Sequence, residues 1–378
     1  MNFDFSEEQN MLRDSVSRFV MDNYDFATRN EVVASELGYS ASNWNTFAEL
    51  GWLSVPFSES VGGFGGNAVD TMVVMEQMGK GLVAEPFVGT VLLFGGLIEK
   101  AGSADQREAL LPDVIAGETQ GAFAYLERQS RYDLADVTTR AESAGDGYTL
   151  TGSKALVFNG MAAQTLIVAA RTSGEQYDSD GISLFLVDAA AGGVTRTGYR
   201  LMDGQLVANI EFDGVTVGAD ALLGAAGEAL PAMQAVVDDV TLALCAEALG
   251  IMETLNATTV EYAKTRQQFG VAIGSFQALQ HRMVDTFMAY EQTKSMLYRT
   301  VCSLEAEADD ASRNLHALKV LVARYGKQVG DEAIQIHGGM GLTDELDVGH
   351  YVKRLMTINT LFGDGAFHQA RFNELTYN

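Results

Sequence analysis

The residues of this chain best equipped for chemistry lie between two long helical patterns, in Thr265-Arg266-Gln267-Gln268-Phe269-Gly270-Val271-Ala272-Ile273-Gly274-Ser275-Phe276-Gln277-Ala278-Leu279-Gln280-His281. A cation, two amides and an aromatic ring stand there against a glycine turn, a costly mixture to place between helices for packing alone. The Arg266 guanidinium is a rigid fork of donors whose geometry suits phosphate oxygens. Gln268 and Phe269 are suited to hold a flat polar ligand through amide hydrogen bonds and ring contact. The plainer reading is a surface turn with an arginine salt bridge. A second stretch, Gln335-Ile336-His337-Gly338-Gly339-Met340-Gly341, reads by itself as a helix C-cap running into a loop.

The elements that must hold these residues divide the chain by periodicity. Ser6-Glu7-Glu8-Gln9 is a capping box, and Met11, Leu12, Val16, Phe19 and Val20 then recur on one helical face. Further helices are predicted over Ala41–Glu49 and Asp70–Gly79, the second carrying a methionine cluster that reads as core filler. Gly62-Gly63-Phe64-Gly65-Gly66 reads as a turn, because no predicted strand precedes it to make a phosphate-binding loop. Helical pattern continues to Gly117, with interruptions expected at Pro86 and Pro112. Near Gly121 the period changes to two. Seven short runs follow: Gly121–Leu126, Tyr148–Thr151, Ala155–Phe158, Thr165–Arg171, Ile182–Val187, Val194–Tyr199 and Ala208–Phe212. Asp146-Gly147, Asp180-Gly181 and Asp213-Gly214 are turn signals between them, which predicts an antiparallel β domain. Helical period returns over Val236–Thr265, Gln277–Glu305, Ala311–Ile336 and Val348–Ile358. Three domains are expected, over residues 1–118, 119–225 and 226–378.

Composition bounds the function. The chain has 378 residues, 47% hydrophobic and 20% charged, so it is long and apolar enough for a large core. A net charge of −25 makes nucleic acid an unfavourable partner and obliges any anionic ligand to find locally placed cations. Cys245 and Cys302 fall in apolar helical patterns and read as buried thiols in a reducing compartment. The opening Met1-Asn2-Phe3-Asp4-Phe5 lacks the features of a signal peptide, and no apolar run reaches the length of a membrane span. A cytoplasmic location without membrane insertion is therefore expected.

Arg266-x-Gln268-Phe269-Gly270-x-x-Ile273-x-x-Phe276-Gln277-x-x-Gln280 resembles the signature of acyl-CoA dehydrogenases. Gln335–Gly341 resembles a second signature of that family, in the expected order, and the resemblance runs to about Arg371. Within the family the nearest likeness is to the small-subunit type of pimeloyl-CoA dehydrogenase. The resemblance implies an α+β multi-domain fold: an N-terminal α-helical domain, a central antiparallel β-barrel and a C-terminal four-helix bundle. It implies FAD-dependent oxidation of an acyl-CoA thioester to the 2,3-enoyl-CoA, by α-proton abstraction and β-hydride transfer. It also implies the setting of fatty acid metabolism and an electron-transfer flavoprotein or similar acceptor. A second copy or a homologous subunit would complete a dimer or tetramer. Arg266, Gln268 and Phe269 would meet the pyrophosphate and adenosine half of FAD, with Gln335, Gly338 and Gly339 along the same half. Where the family holds hydroxyl residues against the flavin ring, this chain has Leu126 and Phe158, so backbone amides would have to serve. Arg128, Ser130 and Arg131 occupy the substrate-side loop, where CoA would need cations and donors; surface charge is the plainer reading of the arginines. On the first C-terminal helix the family often has an arginine for CoA, and Thr241 stands there.

The reaction needs a carboxylate beside the thioester α-carbon. The family's two positions for it hold Phe362 and Val240 in this chain. Three acids remain as candidates. Glu247 lies seven residues past Val240, about two helical turns, in an apolar stretch where an unpaired carboxylate is expensive. Asp364 follows the vacant glutamate position, and a turn aspartate is its plainer reading. Asp239 should point about 100° away from Val240, as a solvated helix acid does. Glu247 is the preferred base and Asp364 the alternative. Two further readings stand: a non-catalytic partner subunit in a heterotetramer that contributes to a shared FAD site, and a flavin oxidase, monooxygenase or desulfinase on the same fold.

Overall fold

The protein was analysed as a computed structural model that describes residues 4–377; the start of the opening segment, Met1 to Phe3, lies outside the described residues. Two compact units are formed. One combines the residues up to Glu31 with Ala68–Val83 and everything from Thr241 onward; the other combines Val32–Asn67 with Ala84–Val240.

Helices α1 (Glu7–Asn23), α2 (Phe26–Ala34), α3 (Ala41–Glu49) and α4 (Ala68–Gly81) open the chain, followed by α5 (Gly96–Ala101) and α6 (Ala104–Ile115). The capping box of α1 is formed: Gln9 N donates to Ser6 Oγ at 3.1 Å and Ser6 N to Gln9 Oε1 at 3.0 Å. Ser103 and Gln106 repeat the device on α6. The methionines of α4 are core filler as expected, with Met72, Met75 and Met78 buried. Pro86 precedes a π-helical stretch, Phe87–Gly95. Pro112 does not interrupt α6, because it sits in the last turn and leaves only one carbonyl without its helical donor.

Strands β1 (Gly121–Ala124), β2 (Arg140–Ala144), β3 (Gly147–Phe158), β4 (Thr165–Arg171), β5 (Ile182–Asp188), β6 (Val194–Arg200), β7 (Leu206–Gly218) and β8 (Leu222–Leu223) form one sheet. Its order is β6-β7-β3-β2-β4-β5-β8, with β1 parallel to β4 and most other pairs antiparallel. The two runs expected at 148–151 and 155–158 are one strand, β3. Register shifts against β7 between Leu150 and Gly152 and between Lys154 and Val157 break its alternation, which is why it reads as two. Leu150, Val168, Phe185, Ile210 and Phe212 centre the core of this sheet.

Helix α7 (Leu230–Thr265) leads through a two-stranded hairpin, β9 (Gln267–Gln268) and β10 (Val271–Ala272), into α8 (Gln277–Glu305). Then come α9 (Ala311–His337), α10 (Val348–Thr360) and α11 (Gly365–Tyr377). Helices α4 and α7 cross at backbone contact. A Cβ on Gly250 would lie 2.0 Å from the Glu76 carbonyl oxygen, and one on Gly79 2.2 Å from that of Glu247. Cys245 and Cys302 are unpaired thiols; Cys245 is buried, which pushes its thiol up to about 12, while Cys302 is only half-buried. Among the described residues no helix is long and apolar enough to cross a membrane.

Candidate functional site

The two glycine-bearing motifs meet at the end of α7. Gln267 and Gln268 pair with Val271 and Ala272, and the turn between them places Phe269 and Gly270 at positive φ, 56° and 82°. A left-handed phenylalanine is unusual, and this one is 93% exposed. The hairpin is anchored by Arg266 N donating to Tyr262 O at 2.8 Å and Ile273 N to Arg266 O at 2.8 Å. Tyr262 ties it to the second motif: its ring stacks on His337 at 4.2 Å between centroids, and its hydroxyl donates to His337 O at 3.3 Å. His337 donates in turn from Nδ1 to Ala333 O at 2.7 Å, since a carbonyl only accepts. Beneath them Ala263, Ile273 and Ile336 form a small core.

What this corner presents is open. Arg266 is exposed and has no carboxylate partner among the described residues, in a chain with twice as many acids as bases. The surface salt bridge considered from the sequence is therefore not there. A Cβ built on Gly270, Gly338 or Gly339 would meet nothing within 4 Å, so backbone is bare at three points. Gly338 has φ +62°, a conformation that suits glycine. Gln335 and Gln268 are exposed, and Gln268 Nε2 donates to Gln267 O at 2.8 Å. An unpaired fork of donors, two amides, an exposed ring and bare glycines suit a phosphate-bearing ligand with a flat base.

The Glu247 carboxylate is buried and gripped from the side by Arg354 of α10: Nε donates to Oε1 at 2.6 Å and Nη2 to Oε2 at 2.7 Å. The guanidinium is equally buried. Each carboxylate oxygen thus uses one lone pair on Arg354 and keeps another. Asp364 caps α11, its Oδ1 accepting from Phe367 N at 2.9 Å. Asp239 pairs with Lys100 at 2.9 Å and is 58% exposed at its side chain, as a solvated acid should be. Phe362, at the vacant glutamate position, is buried at φ +55° and followed by Gly363 at φ +115°. Three buried side chains hold that turn. Lys319 Nζ donates to Ile358 O at 2.5 Å and Leu361 O at 2.9 Å; its burial lowers it to about 8. His368 Nε2 donates to Phe362 O at 3.1 Å, so its Nδ1 must accept from His316 Nδ1, 2.8 Å away.

The sheet unit carries the other predicted residues. Leu126 O accepts from Ala155 N at 2.8 Å, while the Leu126 N–H has no protein acceptor among the described residues. Phe158 is buried at the end of β3. Arg128 and Arg131 are exposed and without carboxylate partners among the described residues; Arg131, at φ +46°, lies 5.9 Å from the Tyr132 ring centroid. Ser130 is otherwise engaged. It is buried, accepts from Glu127 N at 3.0 Å and donates to Glu127 O at 2.9 Å, so its hydroxyl closes a turn rather than facing a ligand.

Sequence reasoning missed what fixes this loop. Burial alone would raise the Glu127 carboxyl, but Lys154 Nζ at 2.7 Å and donors from Thr138, Thr139 and Gln129 outweigh it and hold it at about 2. Burial in turn lowers Lys154 to about 8. Arg171, buried, donates to the carbonyls of Ala135, Val137, Gln176, Asp178 and Asp180 at 2.8 to 3.2 Å. A lysine and an arginine inside apolar strand runs were the available signal, since charges there need partners. Arg354 carried no such signal, its partner being 107 positions away.

Comparison with known proteins decides the family. The family profiles for the N-terminal, middle and C-terminal domains of acyl-CoA dehydrogenase match residues 6–118, 122–215 and 230–371. The chain belongs to the acyl-CoA dehydrogenase family. It is 28% identical to "Probable acyl-CoA dehydrogenase YngJ" of Bacillus subtilis over 95% of each chain. Among solved structures it resembles the ChsE4–ChsE5 complex from Mycobacterium tuberculosis, with a TM-score of 0.89, 25% identity and 100% of each chain covered. It also resembles the FAD complex of PigA, with a TM-score of 0.91, 25% identity and coverage of 99% of this chain and 98% of that one. Acyl-CoA dehydrogenases are flavoproteins that use FAD, and this chain has their architecture of N-terminal helices, a mostly antiparallel central sheet and C-terminal helices. Within the helical unit, the unpaired Arg266 and the bare glycines fit that cofactor.

Proposed function

We propose that this chain takes part in the FAD-dependent oxidation of a bulky, branched or dicarboxylic acyl-CoA to its 2,3-enoyl-CoA, with Glu247 as the base. The observation that carries the reading is the unpaired Arg266 fork beside the bare Gly338–Gly339 backbone, in a chain of this family. Arg266 would meet the pyrophosphate, with Gln268, Phe269 and Gln335 beside the adenosine half. The Leu126 N–H supplies the donor to the flavin ring that a family hydroxyl would otherwise give, with Phe158 as an apolar wall. Bound FAD supplies the acceptor for hydride leaving the β-carbon. Arg128 and Arg131 offer cations to CoA in an otherwise acidic chain; Ser130 acts by closing their turn.

The Arg354 grip fixes the Glu247 side chain in position. The α-proton would go to a lone pair of Glu247 that Arg354 does not use. Replacing Glu247 by Gln in flavin-loaded protein should lower turnover by roughly 10²–10⁴-fold, while D364N changes it little. Full FAD with unchanged turnover in E247Q would remove Glu247 from the mechanism.

The same ion pair favours a second reading. With Phe362 and Val240 at the family's base positions and Glu247 gripped on both oxygens, this chain would also serve as a non-catalytic partner that donates Arg266, Gln268 and Gln335 to a shared FAD site. The resemblance to a two-component complex supports it. Purified alone, such a chain is colourless and yellows only with its partner; an enzyme is yellow and reduces an electron acceptor such as electron-transfer flavoprotein with acyl-CoA.

A further inference from the structure

Within the unit that holds α1, α4, α7 and α8, a crevice of about 310 Å³ is lined by Arg13, Glu76, Gln77, Lys80, Glu253 and Lys294, with the Phe5 and Tyr298 rings at its edge. That volume is at the lower end of small-molecule sites, roughly 300–1,000 Å³. Its rim is exposed and internally paired: Lys80 Nζ lies 3.0 Å from Glu253 Oε2, and Arg13 Nε lies 3.5 Å from Asp14 Oδ1. Its floor is not. Glu76 and Gln77 are 8% and 3% exposed, and neither side chain makes a hydrogen bond among the described residues. Their side-chain polar atoms are open to the crevice rather than sealed in the core, so whatever bonds them there must come from within the crevice. Burial raises the Glu76 carboxyl despite the pull of Lys80, Lys294 and Arg13. What it lacks is a positive group at close range. Lys294 is the complementary case. It has no carboxylate partner among the described residues and sits against two rings, 5.7 Å from the Tyr290 centroid and 5.9 Å from that of Tyr298.

One unpaired buried acid and one unpaired cation on opposite-signed duty define the ligand. We propose that this crevice is a second binding site for a small zwitterion, its ammonium end on the Glu76 carboxylate and its carboxylate end on Lys294. The Gln77 amide, donor and acceptor at once, bonds between the two ends. A singly charged ion satisfies one pole and leaves the other unpaired, so the site discriminates against it. The inference is independent of the dehydrogenase chemistry, since it uses none of the residues assigned to it.

The test is calorimetric titration with glycine, β-alanine and 4-aminobutyrate, which differ in charge separation, with methylammonium and acetate as single-charge controls. At least one zwitterion should bind saturably, one per chain, and at least tenfold more weakly to E76Q and to K294M. Lys294 is on the half-exposed side of the crevice, so K294M carries the test if E76Q fails to fold. Absence of saturable binding by all three zwitterions would mean the crevice holds water only and would overturn the proposal. So would equal binding by acetate or methylammonium, or undiminished binding to K294M.

Discussion

Glu247 and Arg354 face each other across two hydrogen bonds of 2.6 and 2.7 Å in a buried setting, which makes the Glu247 carboxylate hostage to Arg354. Removing one partner of such a pair strands a charge where water cannot reach it. Arg354→Met should therefore destabilise the protein by roughly 3–5 kcal/mol, whereas the apolar double replacement of both residues should recover most of that; urea titration of the single and double variants measures it. His316 and His368 make a second residue-scale prediction. Burial lowers them from 6.5 to about 4 and about 3. Between those values and 6.5 the unfolded chain binds protons that the folded chain refuses. The stability they contribute is thus whole above pH 6.5 and is lost as pH falls through about 4 to 3. Unfolding free energy should drop between pH 7 and pH 5 by up to about 2 kcal/mol per histidine, and H316N/H368N should flatten the dependence. Glu247 stood out in the sequence as a charge in an apolar run, whereas Asp364 and Asp239 were named for their nearness to the family's base positions. Their partners were not, because pairing Glu247 with Arg354 or His316 with His368 depends on helix packing that no local period encodes.

At the scale of elements, two glycines set how close α4 and α7 approach. Gly79 and Gly250 let each helix touch the backbone of the other beside Glu76 and Glu247. Gly250→Ala puts a methyl 2.0 Å from a carbonyl oxygen on a rigid helix, and overpacking of this kind costs typically 1–3 kcal/mol or more. The variant should melt lower than wild type and lower than Gly62→Ala, whose Cβ meets nothing within 4 Å but which carries the strain of φ +89°. Most of the long helices were readable, but α2 was not foreseen. α3, β4 and α8 have their predicted ends, since strong periodicity and clear breakers agreed there. The short β2 and β8 were missed; β2 is mostly exposed and β8 is two residues long, so neither shows alternation. α11 was not predicted as a separate helix, because its cap, Asp364, read as a turn residue.

On the scale of the whole molecule, −25 charges act together. Salt screens their mutual repulsion, so the melting temperature should rise with added sodium chloride before levelling, and scanning calorimetry over a salt series tests it. Against that field the exposed cations that lack acidic partners stand out, and Arg266 is the one both family motifs surround. The most direct test of the account is the FAD affinity of R266A against wild type, by equilibrium dialysis of the chain in its native assembly, with circular dichroism to confirm folding. Loss of a charged hydrogen bond of about 1.5–3 kcal/mol should weaken binding roughly 10- to 150-fold. A folded R266A that holds FAD as tightly as wild type would contradict the assignment of this corner to the dinucleotide.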